Sequence, residues 1–348
     1  MNNHLYDNNL QLHLQLESKV EYSRHIKFLD KHGIKPSPIY EEYWRFAAER
    51  QHIFQKRRSG CSYPWTNDCI FQKYKFTNAY RASDRVSQYL IRNVIYSRYD
   101  KFSPEDVFFR IILFKIFNKI ETWEALENEV ECIDYKSYSF ERYDSILTNL
   151  INNGDKIYSA AYIMPSGKSF GSDKKHRNNL MLLEMMMSDH IISKISKAHN
   201  LQELYNIMLN YPSLGKFLAF QYAIDINYSE LCDFNEMDYV VAGPGATSGI
   251  SKLFVDKNGY SDEYIIRLMA ENQEQEFERL NLNFEYLGNR KLQLIDCQNL
   301  FCETDKYTRV AYPQYTGTSN RTRIKQHFSP KLMDPIQYFY PPKWNINT

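Results

Sequence analysis

The stretch from Asp238 to Phe254 constrains the fold most, because an apolar run ends there in a Gly-Pro-Gly turn before a new helical pattern begins. Two glycines around Pro244 predict a tight hairpin whose backbone amides are not covered by side chains. Ile250 and Leu253 follow at helical spacing. A helix there would point free N–H groups and the positive end of its dipole at the hairpin. The pattern therefore predicts a site for one phosphate group.

This stretch lacks the Gly-x4-Gly-Lys-Ser/Thr spacing of a P-loop. It matches the hairpin of helix-hairpin-helix proteins, whose pattern is Gly-apolar-Gly-x-x-Ser/Thr-Ala/Gly before a helix. The positions that fill the pattern are Gly243, Pro244, Gly245, Ser248 and Gly249. A glycine turn that only caps a structural helix is the alternative.

The charge balance excludes a basic field over the whole chain, since 43 Lys and Arg stand against 42 Asp and Glu. Any nucleic-acid surface must therefore be a local patch. An apolar share of 43% supports a folded core. The 6 cysteines are scattered without a C-x-x-C pair, so we expect no metal site and no cofactor. We expect a reduced, cytoplasmic chain without an export signal or a membrane span.

Helical spacing dominates the chain and few segments alternate with period two, so the predicted fold class is mainly α. Ser103 and Pro104 predict a helix start, followed by the almost continuously apolar run 107–117. The other predicted helices are 40–57, 76–96, 139–151, 176–198, 201–209, 214–226, 259–278 and 292–310.

Polar side chains accompany the apolar side of the predicted helix 76–96. They are Asn78, Arg81, Asp84 and Arg85. Spacings of three and four residues would let Arg81 pair with Asp84 or Arg85 along one side of a helix. An ion-pair ladder on the surface is the alternative. A polar loop at 166–175 carries Lys168, Lys174 and Lys175, and its alternative is a solvated linker.

Several stretches together resemble one known family. They are YWRFAAERQHIFQKRRSG, PWTNDCIF, YKFTNAYRASDRVSQYL, VVAGPGATSGI and DCQNLFCETDKY, in this order between about Tyr40 and about Val310. They resemble the helical domain attached to phage 5-hydroxymethyluracil DNA kinases, which also makes up the α-glutamyl/putrescinyl-thymine pyrophosphorylases. This family looks like a distant branch of the helix-hairpin-helix DNA glycosylases.

The resemblance implies a DNA-glycosylase-like helical fold over 39–312, with its hairpin at 240–254. An N-terminal extension over 1–38 and an irregular tail over 313–348 would flank it. Members of the family act on hydroxymethylated or further decorated pyrimidines in phage DNA, and some bacterial relatives remove such bases as defence. The implied partner is therefore double-stranded phage DNA with modified pyrimidines, bound by a monomer without a membrane.

The glycosylase pattern places a catalytic aspartate after the hairpin, at the start of the next core helix. Asp296, in I-D-C-Q-N, is the matching residue. Its carboxylate would stabilise the positive charge that builds on the sugar, or activate water. The interval from Gly245 is longer than usual, which leaves Glu303 and Asp305 as rivals. A helix-capping role is the alternative for Asp296.

The resemblance also assigns binding roles. The polar cluster at 78–85 would form the pocket for a flipped base. The DNA backbone contacts would come from Gly243, Gly245, Thr247, Ser248, Gly249, Lys252 and Lys168. Bifunctional members use a lysine just before the Ser/Thr of the hairpin pattern, where this chain has Thr247. A threonine hydroxyl cannot form a Schiff base, so the expected enzyme is a monofunctional DNA glycosylase that leaves an intact abasic site.

Two other functions remain open from the residues. The first is a base-hypermodifying transferase or pyrophosphorylase that acts on phosphorylated hydroxymethyl-pyrimidine in DNA and leaves the glycosidic bond intact. The second is a non-catalytic module that recognises modified DNA.

Overall fold

The computed structural model describes residues 25–97, 102–330 and 337–346. Residues 1–24 of the predicted N-terminal extension lie outside this part of the chain. The described residues form two compact units. Unit 1 consists of 25–76, 242–285 and 297–330, and unit 2 consists of 77–97, 102–241, 286–296 and 337–346. The predicted domain boundaries at 38 and 312 stay a prediction.

The predicted fold class is confirmed, since the structure is mainly helical. The α-helices are α1 (Lys27–Lys31), α2 (Glu42–Arg58), α3 (Cys69–Lys73), α4 (Arg85–Tyr89), α5 (Pro104–Phe117), α6 (Ile120–Glu129), α7 (Phe140–Asn152), α8 (Lys175–Ser188), α9 (Ile191–Ile195), α10 (Leu201–Leu209), α11 (Lys216–Asn227), α12 (Pro244–Leu253), α13 (Asp262–Glu271), α14 (Gln273–Arg279) and α15 (Leu294–Ala311). Short 3₁₀ helices lie at Arg81–Ser83, Lys168–Phe170 and Pro342–Trp344, and a π-helix lies at Leu90–Ile95. Strands β1 (Lys35–Pro36) and β2 (Phe254–Asp256) pair antiparallel in unit 1.

The single helix predicted over 76–96 is wrong. Tyr80 and Asp84 have extended backbone dihedral angles, so the segment is divided into a 3₁₀ turn, α4 and the π-helix. The helix predicted over 176–198 is also interrupted, at His190, whose φ of 49° lies in the left-handed region. Side-chain pairs that require one continuous helix can therefore not be inferred for residues 78–85.

Aromatic side chains form the core of unit 1. On α2, the Tyr43 ring centroid lies 4.5 Å from that of Phe301 on α15. The neighbouring Trp44 makes an edge-to-face contact with Phe277 of α14 at 5.2 Å. Such pairs add to the stabilisation that comes from burying the ring surface itself. These contacts fix the segment of α15 that belongs to unit 1.

Helix α5 is the centre of unit 2. Ser103 and Asp106 form a capping box with Pro104 at the first helical position, as the sequence predicts. Arg110 is buried within the apolar run, and it donates to the carbonyls of Val94 at 2.9 Å and Ile133 at 2.6 Å. A π-helix leaves carbonyl groups that its own backbone does not fully satisfy, so this guanidinium stabilises the end of the π-helix.

A second buried ion network joins three elements of unit 2. Arg81 makes a two-pronged pair with Asp225 of α11, with distances of 2.8 and 3.0 Å. The Lys115 ammonium of α5 lies 2.9 Å from the other side of the same carboxylate. Burial alone would raise the pKa of Asp225, but the two cations outweigh it and hold that pKa below its usual value. The network is therefore a carboxylate shared by two buried cations.

Replacing Asp225 tests this network. Asp225→Asn leaves two buried cations without their counter-charge, so we expect the free energy of unfolding to fall by about 3–5 kcal/mol. Glu121→Gln is the control, since it breaks an exposed pair with Arg85 and should change stability by less than about 0.5 kcal/mol. Urea denaturation followed by circular dichroism measures both, and equal losses would contradict the structural role of Asp225.

Candidate functional site

The Asp296 carboxyl group is held at the start of α15 by two backbone donors. Its Oδ1 accepts the N–H of Arg81 at 2.8 Å, and its Oδ2 accepts the N–H of Gln293 at 2.9 Å. Gln293 directly precedes α15, so the second bond is the return half of a capping box. Asp296 is the third residue of α15 and not its N-cap residue. Its two hydrogen bonds fix the carboxyl group in one orientation.

The surroundings of Asp296 favour its protonated form. Its side chain is buried, with the residue 4% exposed. Burial first, and then the charge of Glu236, raise the pKa of Asp296 to about 7, against the opposing effect of the two backbone N–H groups and Arg290. A buried carboxyl group that titrates near neutral pH can take or give a proton under ordinary conditions.

Arg81 connects Asp296 to the buried network of unit 2. The residue is 1% exposed. Besides the pair with Asp225, its Nε donates to Gln221 at 3.0 Å and its Nη1 donates to the Tyr228 hydroxyl at 3.0 Å. These bonds occupy the guanidinium group, so what Arg81 offers to Asp296 is its backbone N–H. The position of that N–H depends on the anchored side chain.

Glu236 and Arg290 form an ion pair in unit 2, and both affect the charge of Asp296. Glu236 Oε1 and Arg290 Nη2 lie 3.0 Å apart, but neither atom has a hydrogen-bond partner of good geometry among the described residues. The guanidinium group also stacks over the Trp344 ring, with its carbon 3.6 Å from the ring centroid. Buried polar atoms of this kind are candidates for binding a substrate.

The remaining residues of the predicted base pocket do not share a helix face. The backbone N–H of Asn78 donates to Asp84 at 2.7 Å, and the Asn78 amide donates to the carbonyl of Ser83 at 2.6 Å. Arg85 is exposed and pairs loosely with Glu121 at 3.9 Å. The structure therefore assigns Asn78 and Asp84 to a local turn.

The predicted hairpin at 240–254 is a helix start. Helix α12 begins at Pro244, with Gly243 as an extended N-cap that has no side-chain cap. Proline fixes its own φ at a helical value, and it lacks the N–H that a first helical position leaves unpaired, which explains why the helix starts here. The residues predicted to bind the DNA backbone with amides, Gly245, Thr247, Ser248 and Gly249, therefore lie inside α12.

Two glycines of α12 allow a close approach to α15 within unit 1. A Cβ atom at Gly245 would lie 2.3 Å from the sulfur of Cys302. At Gly249 it would lie 2.2 Å from the carbonyl oxygen of Phe301. These glycines are required because neighbouring helices touch there, which is a different reason from the exposed turn that the sequence suggests.

Lys252 and Asp305 hold α12 and α15 together. The Lys252 ammonium lies 3.0 Å from Asp305 Oδ1, and both side chains are buried. Asp305 also pairs with Arg309 and accepts the Ser248 hydroxyl at 2.8 Å. Burial, partly opposed by Asp305, lowers the pKa of Lys252. Lys252 and Asp305 thus form a buried ion pair within unit 1, and their predicted roles in DNA binding and catalysis stay predictions.

Glu303 and Lys168 are the two predicted site residues that remain. Glu303 pairs with Lys306 at 3.2 Å on α15. Lys168 is exposed in its 3₁₀ turn in unit 2, where it stays a predicted phosphate contact. Within the described residues there is no group of three metal-binding side chains. None of the described helices is both long and apolar enough to cross a membrane.

The sequence analysis missed the partners of Arg81. Gln221 and Asp225 stand four residues apart in the otherwise apolar run 217–226, and Lys115 stands within the apolar run 107–117. A charge on a helix that is buried on most sides is rarely tolerated without a partner. That rule was available from the sequence, and it would have indicated a buried network.

Comparison with known proteins gives the family. Residues 37–317 match a family model described as "5-hmdU DNA kinase, helical domain". The chain belongs to this family. A relative named 5-hmdU DNA kinase, from Bacillus phage SP10, is 25% identical over 287 residues. The match covers 77% of this chain but only 45% of that protein, so the chain spans less than half of its length. No solved structure matches the chain significantly.

The family match confirms the predicted resemblance to the kinase helical domains and corrects the predicted activity. A DNA N-glycosylase is a hydrolase that releases a base, whereas a kinase is a transferase. The predicted monofunctional glycosylase and its abasic product are therefore wrong. The likeness to the helix-hairpin-helix fold stays a prediction, and so do the roles of the site residues.

The raised pKa of Asp296 predicts how stability depends on pH. An unfolded aspartate titrates near 4, so between about pH 4 and the folded value of about 7 the folded state holds one proton more than the unfolded state. This contribution to stability is present below about pH 4 and is lost as the pH rises through about 7. Asp296→Asn should remove this fall in the free energy of unfolding between about pH 4 and pH 7.

Urea denaturation between pH 4 and pH 8 measures this effect. Asp106→Asn is the control, since Asp106 also accepts two backbone N–H groups, from Ser103 and from Tyr135, but is only half-buried. The loss of a capping hydrogen bond lowers the free energy of unfolding at every pH. The loss of the buried Asp296 carboxyl group should also alter the slope of that free energy between pH 4 and pH 7. Parallel curves for Asp296→Asn and the unmodified protein would contradict the raised pKa.

The glycine contacts give a further prediction. Gly249→Ala forces a Cβ atom against the backbone of Phe301, so we expect a loss of about 1–3 kcal/mol in unfolding free energy, although alanine is the better helix former. Gly215→Ala is the control, because a Cβ atom there has no neighbour within 4 Å. It should cost less than about 1 kcal/mol. Thermal melts distinguish the two, and equal melting temperatures would contradict the close approach.

Proposed function

We propose that this chain is a group-transfer enzyme that acts on 5-hydroxymethyl pyrimidines in DNA. The proposal rests on the family match over residues 37–317. The relative from Bacillus phage SP10 is named for a kinase activity on 5-hmdU in DNA, which makes phage DNA with this base the first substrate to test. The reacting group is the substituent on C5 of the base, and the glycosidic bond stays intact.

The step that we assign to this chain follows phosphorylation of the hydroxymethyl group. The 348 residues contain no Gly-x4-Gly-Lys-Ser/Thr spacing, so they offer no P-loop for the phosphates of ATP. In the proposed step a nucleophile such as a primary amine bonds to the methylene carbon at C5. The C–O bond to the phosphate or pyrophosphate breaks, and the leaving group departs with the bonding electrons. The proton of the nucleophile passes to a base on the enzyme.

We propose Asp296 as that base. A pKa of about 7 leaves a substantial fraction of the carboxyl group ionised at neutral pH, while its affinity for a proton is far above that of an ordinary aspartate. The N–H of Arg81 and the N–H of Gln293 fix its orientation. Arg290, whose Nη2 has no hydrogen-bond partner of good geometry among the described residues, is the candidate for balancing the charge of the leaving phosphate.

The N-terminal turn of α12 remains the proposed contact with a DNA phosphate. It has no side-chain cap and no acidic residue in its first turn. Its unpaired N–H groups and the positive end of the helix dipole favour an anion. This role belongs to the backbone from Gly243 onward and does not involve the Lys252 ammonium.

The activity test uses duplex oligonucleotides that contain 5-hydroxymethyldeoxyuridine, its phosphate or its pyrophosphate, with a mixture of small amines. Enzymatic digestion and mass spectrometry of the nucleosides then show whether the base has gained mass. We expect a changed nucleoside in the phosphorylated substrates, without released base. Released base or abasic sites would contradict the proposal. Tight binding without any chemical change would favour a module that only recognises modified DNA.

Asp296→Asn tests the role of the carboxyl group. We expect at least about a thousandfold loss of turnover, the scale on which positioned acid–base and electrostatic groups act, with DNA binding retained. Asp106→Asn, the matched cap on α5, should leave turnover unchanged. In the unmodified enzyme the rate should rise with pH and level off above about 7, the pKa of Asp296. A flat profile, or full activity of Asp296→Asn, would eliminate this assignment.

A further inference from the structure

Unit 2 contains a pocket of about 530 Å³ that the proposed reaction does not use. Three segments bound it: the end of α7, residues 156–158 and the start of α8. A volume of this size lies within the range of pockets that hold small ligands. The pocket is therefore large enough for a nucleotide.

Three lysines are among the residues that line the pocket. Lys156, Lys174 and Lys175 line it, and none of the described residues that line it is acidic. The nearest basic neighbours, His176 and Arg177, share the Asp144 carboxylate, at 2.8 and 2.7 Å. That carboxylate is consequently occupied, and none of the ion pairs found between described residues includes one of the three lysines.

The start of α8 strengthens this charge. The helix has Lys174 as its N-cap, without a side-chain cap, and its first turn contains no acidic residue. The positive end of the helix dipole repels cations at a helix N-terminus, and each such cation lowers the stability of the helix by about 0.3 kcal/mol or more. The sequence K-K-H-R at 174–177 is thus unfavourable for the helix alone. A bound anion would relieve both the repulsion and the unpaired N–H groups.

Most of the surface that lines the pocket is apolar. Ile151 and Ile157 contribute to it, and Ile151 is 42% exposed. The Lys175 ammonium rests over the Tyr158 ring, 4.0 Å from the ring centroid. The ring also lies against Phe117, at 5.1 Å, so its position is fixed. The lining of the pocket therefore combines lysine side chains with apolar and aromatic ones.

We propose that this pocket binds a nucleotide, with its phosphate among the lysines at the start of α8 and its base or sugar against the two isoleucines. A phosphate joined to a flat body has the required chemistry. The choice of a nucleotide rests on the DNA kinase family of the chain and is independent of the chemistry assigned to Asp296. The nucleotide is either free or part of a DNA strand.

Binding to the full chain tests the proposal. The probes are thymidine monophosphate, a fluorescent single-stranded oligothymidylate and inorganic phosphate, each titrated by calorimetry or anisotropy. We expect saturable binding of at least one thymidine probe, tighter than that of phosphate. The probe that binds tells whether the site takes a free nucleotide or a strand. No saturable binding of either thymidine probe, or phosphate binding equally well, overturns the proposal.

Two variants locate the binding. Lys174→Gln with Lys175→Gln should weaken the binding of the thymidine probe at least about tenfold. The control is Lys216→Gln, which removes the first lysine of α11, a helix that also lacks a side-chain cap. It should change the affinity less than about twofold. Equal losses in both would place the binding elsewhere and overturn the proposal.

Ile151→Glu provides an independent check, because it adds a carboxylate at an exposed position of the apolar lining. We expect a loss of affinity of at least about tenfold by repulsion of the phosphate, with an unchanged circular dichroism spectrum. Unchanged affinity would contradict the assignment of this lining. Asp296→Asn should leave nucleotide binding here intact, which separates a failure of this proposal from a failure of the proposed reaction.

Discussion

The Asp225 carboxylate is the interaction on which unit 2 depends most. It sits between two buried cations, Arg81 and Lys115, that reach it from different elements. Removing a charge from water is costly, and only close opposite charges and hydrogen bonds compensate for it. The network therefore tolerates little displacement of the 3₁₀ turn that carries Arg81. Since the N–H of that same residue holds Asp296, the orientation of the candidate base follows from an ion pair that never contacts it.

Asp296 and Asp106 have similar backbone hydrogen bonds but differ in burial. Each accepts the N–H of the residue three positions before it and one N–H from a distant segment. At Asp296 those bonds favour the ionised form. Burial and the neighbouring charge of Glu236 outweigh them there. Asp296 therefore combines the backbone hydrogen bonds of a helix-capping residue with a pKa that suits an acid–base group.

The sequence predicts much of the helical framework and the family, but little of the site geometry. Helix starts such as Ser103-Pro104 are local signals, and the structure confirms them. The segment 76–96 has the right apolar spacing for one helix, yet Tyr80 and Asp84 adopt extended angles because the buried contacts of Arg81 and Tyr80 determine its path. The local spacing of residues in the sequence does not reveal partners that are 144 residues apart, such as Arg81 and Asp225. The activity implied by the glycosylase likeness was wrong, since a resemblance in fold does not determine the reaction.

The contact between Gly245 and Cys302 makes one thiol a natural reporter of motion within unit 1. Burial raises the pKa of Cys302 to about 12, so its reactive thiolate is scarce at neutral pH. Its sulfur also fills the space where a side chain of α12 would otherwise lie. Cys61 and Cys69, by contrast, are exposed and should be alkylated first. Cys132 and Cys232 are partly exposed, as Cys302 is, so the labelling of each thiol must be followed separately by peptide mass spectrometry. The rate at which Cys302 itself is labelled then measures how often α12 separates from α15.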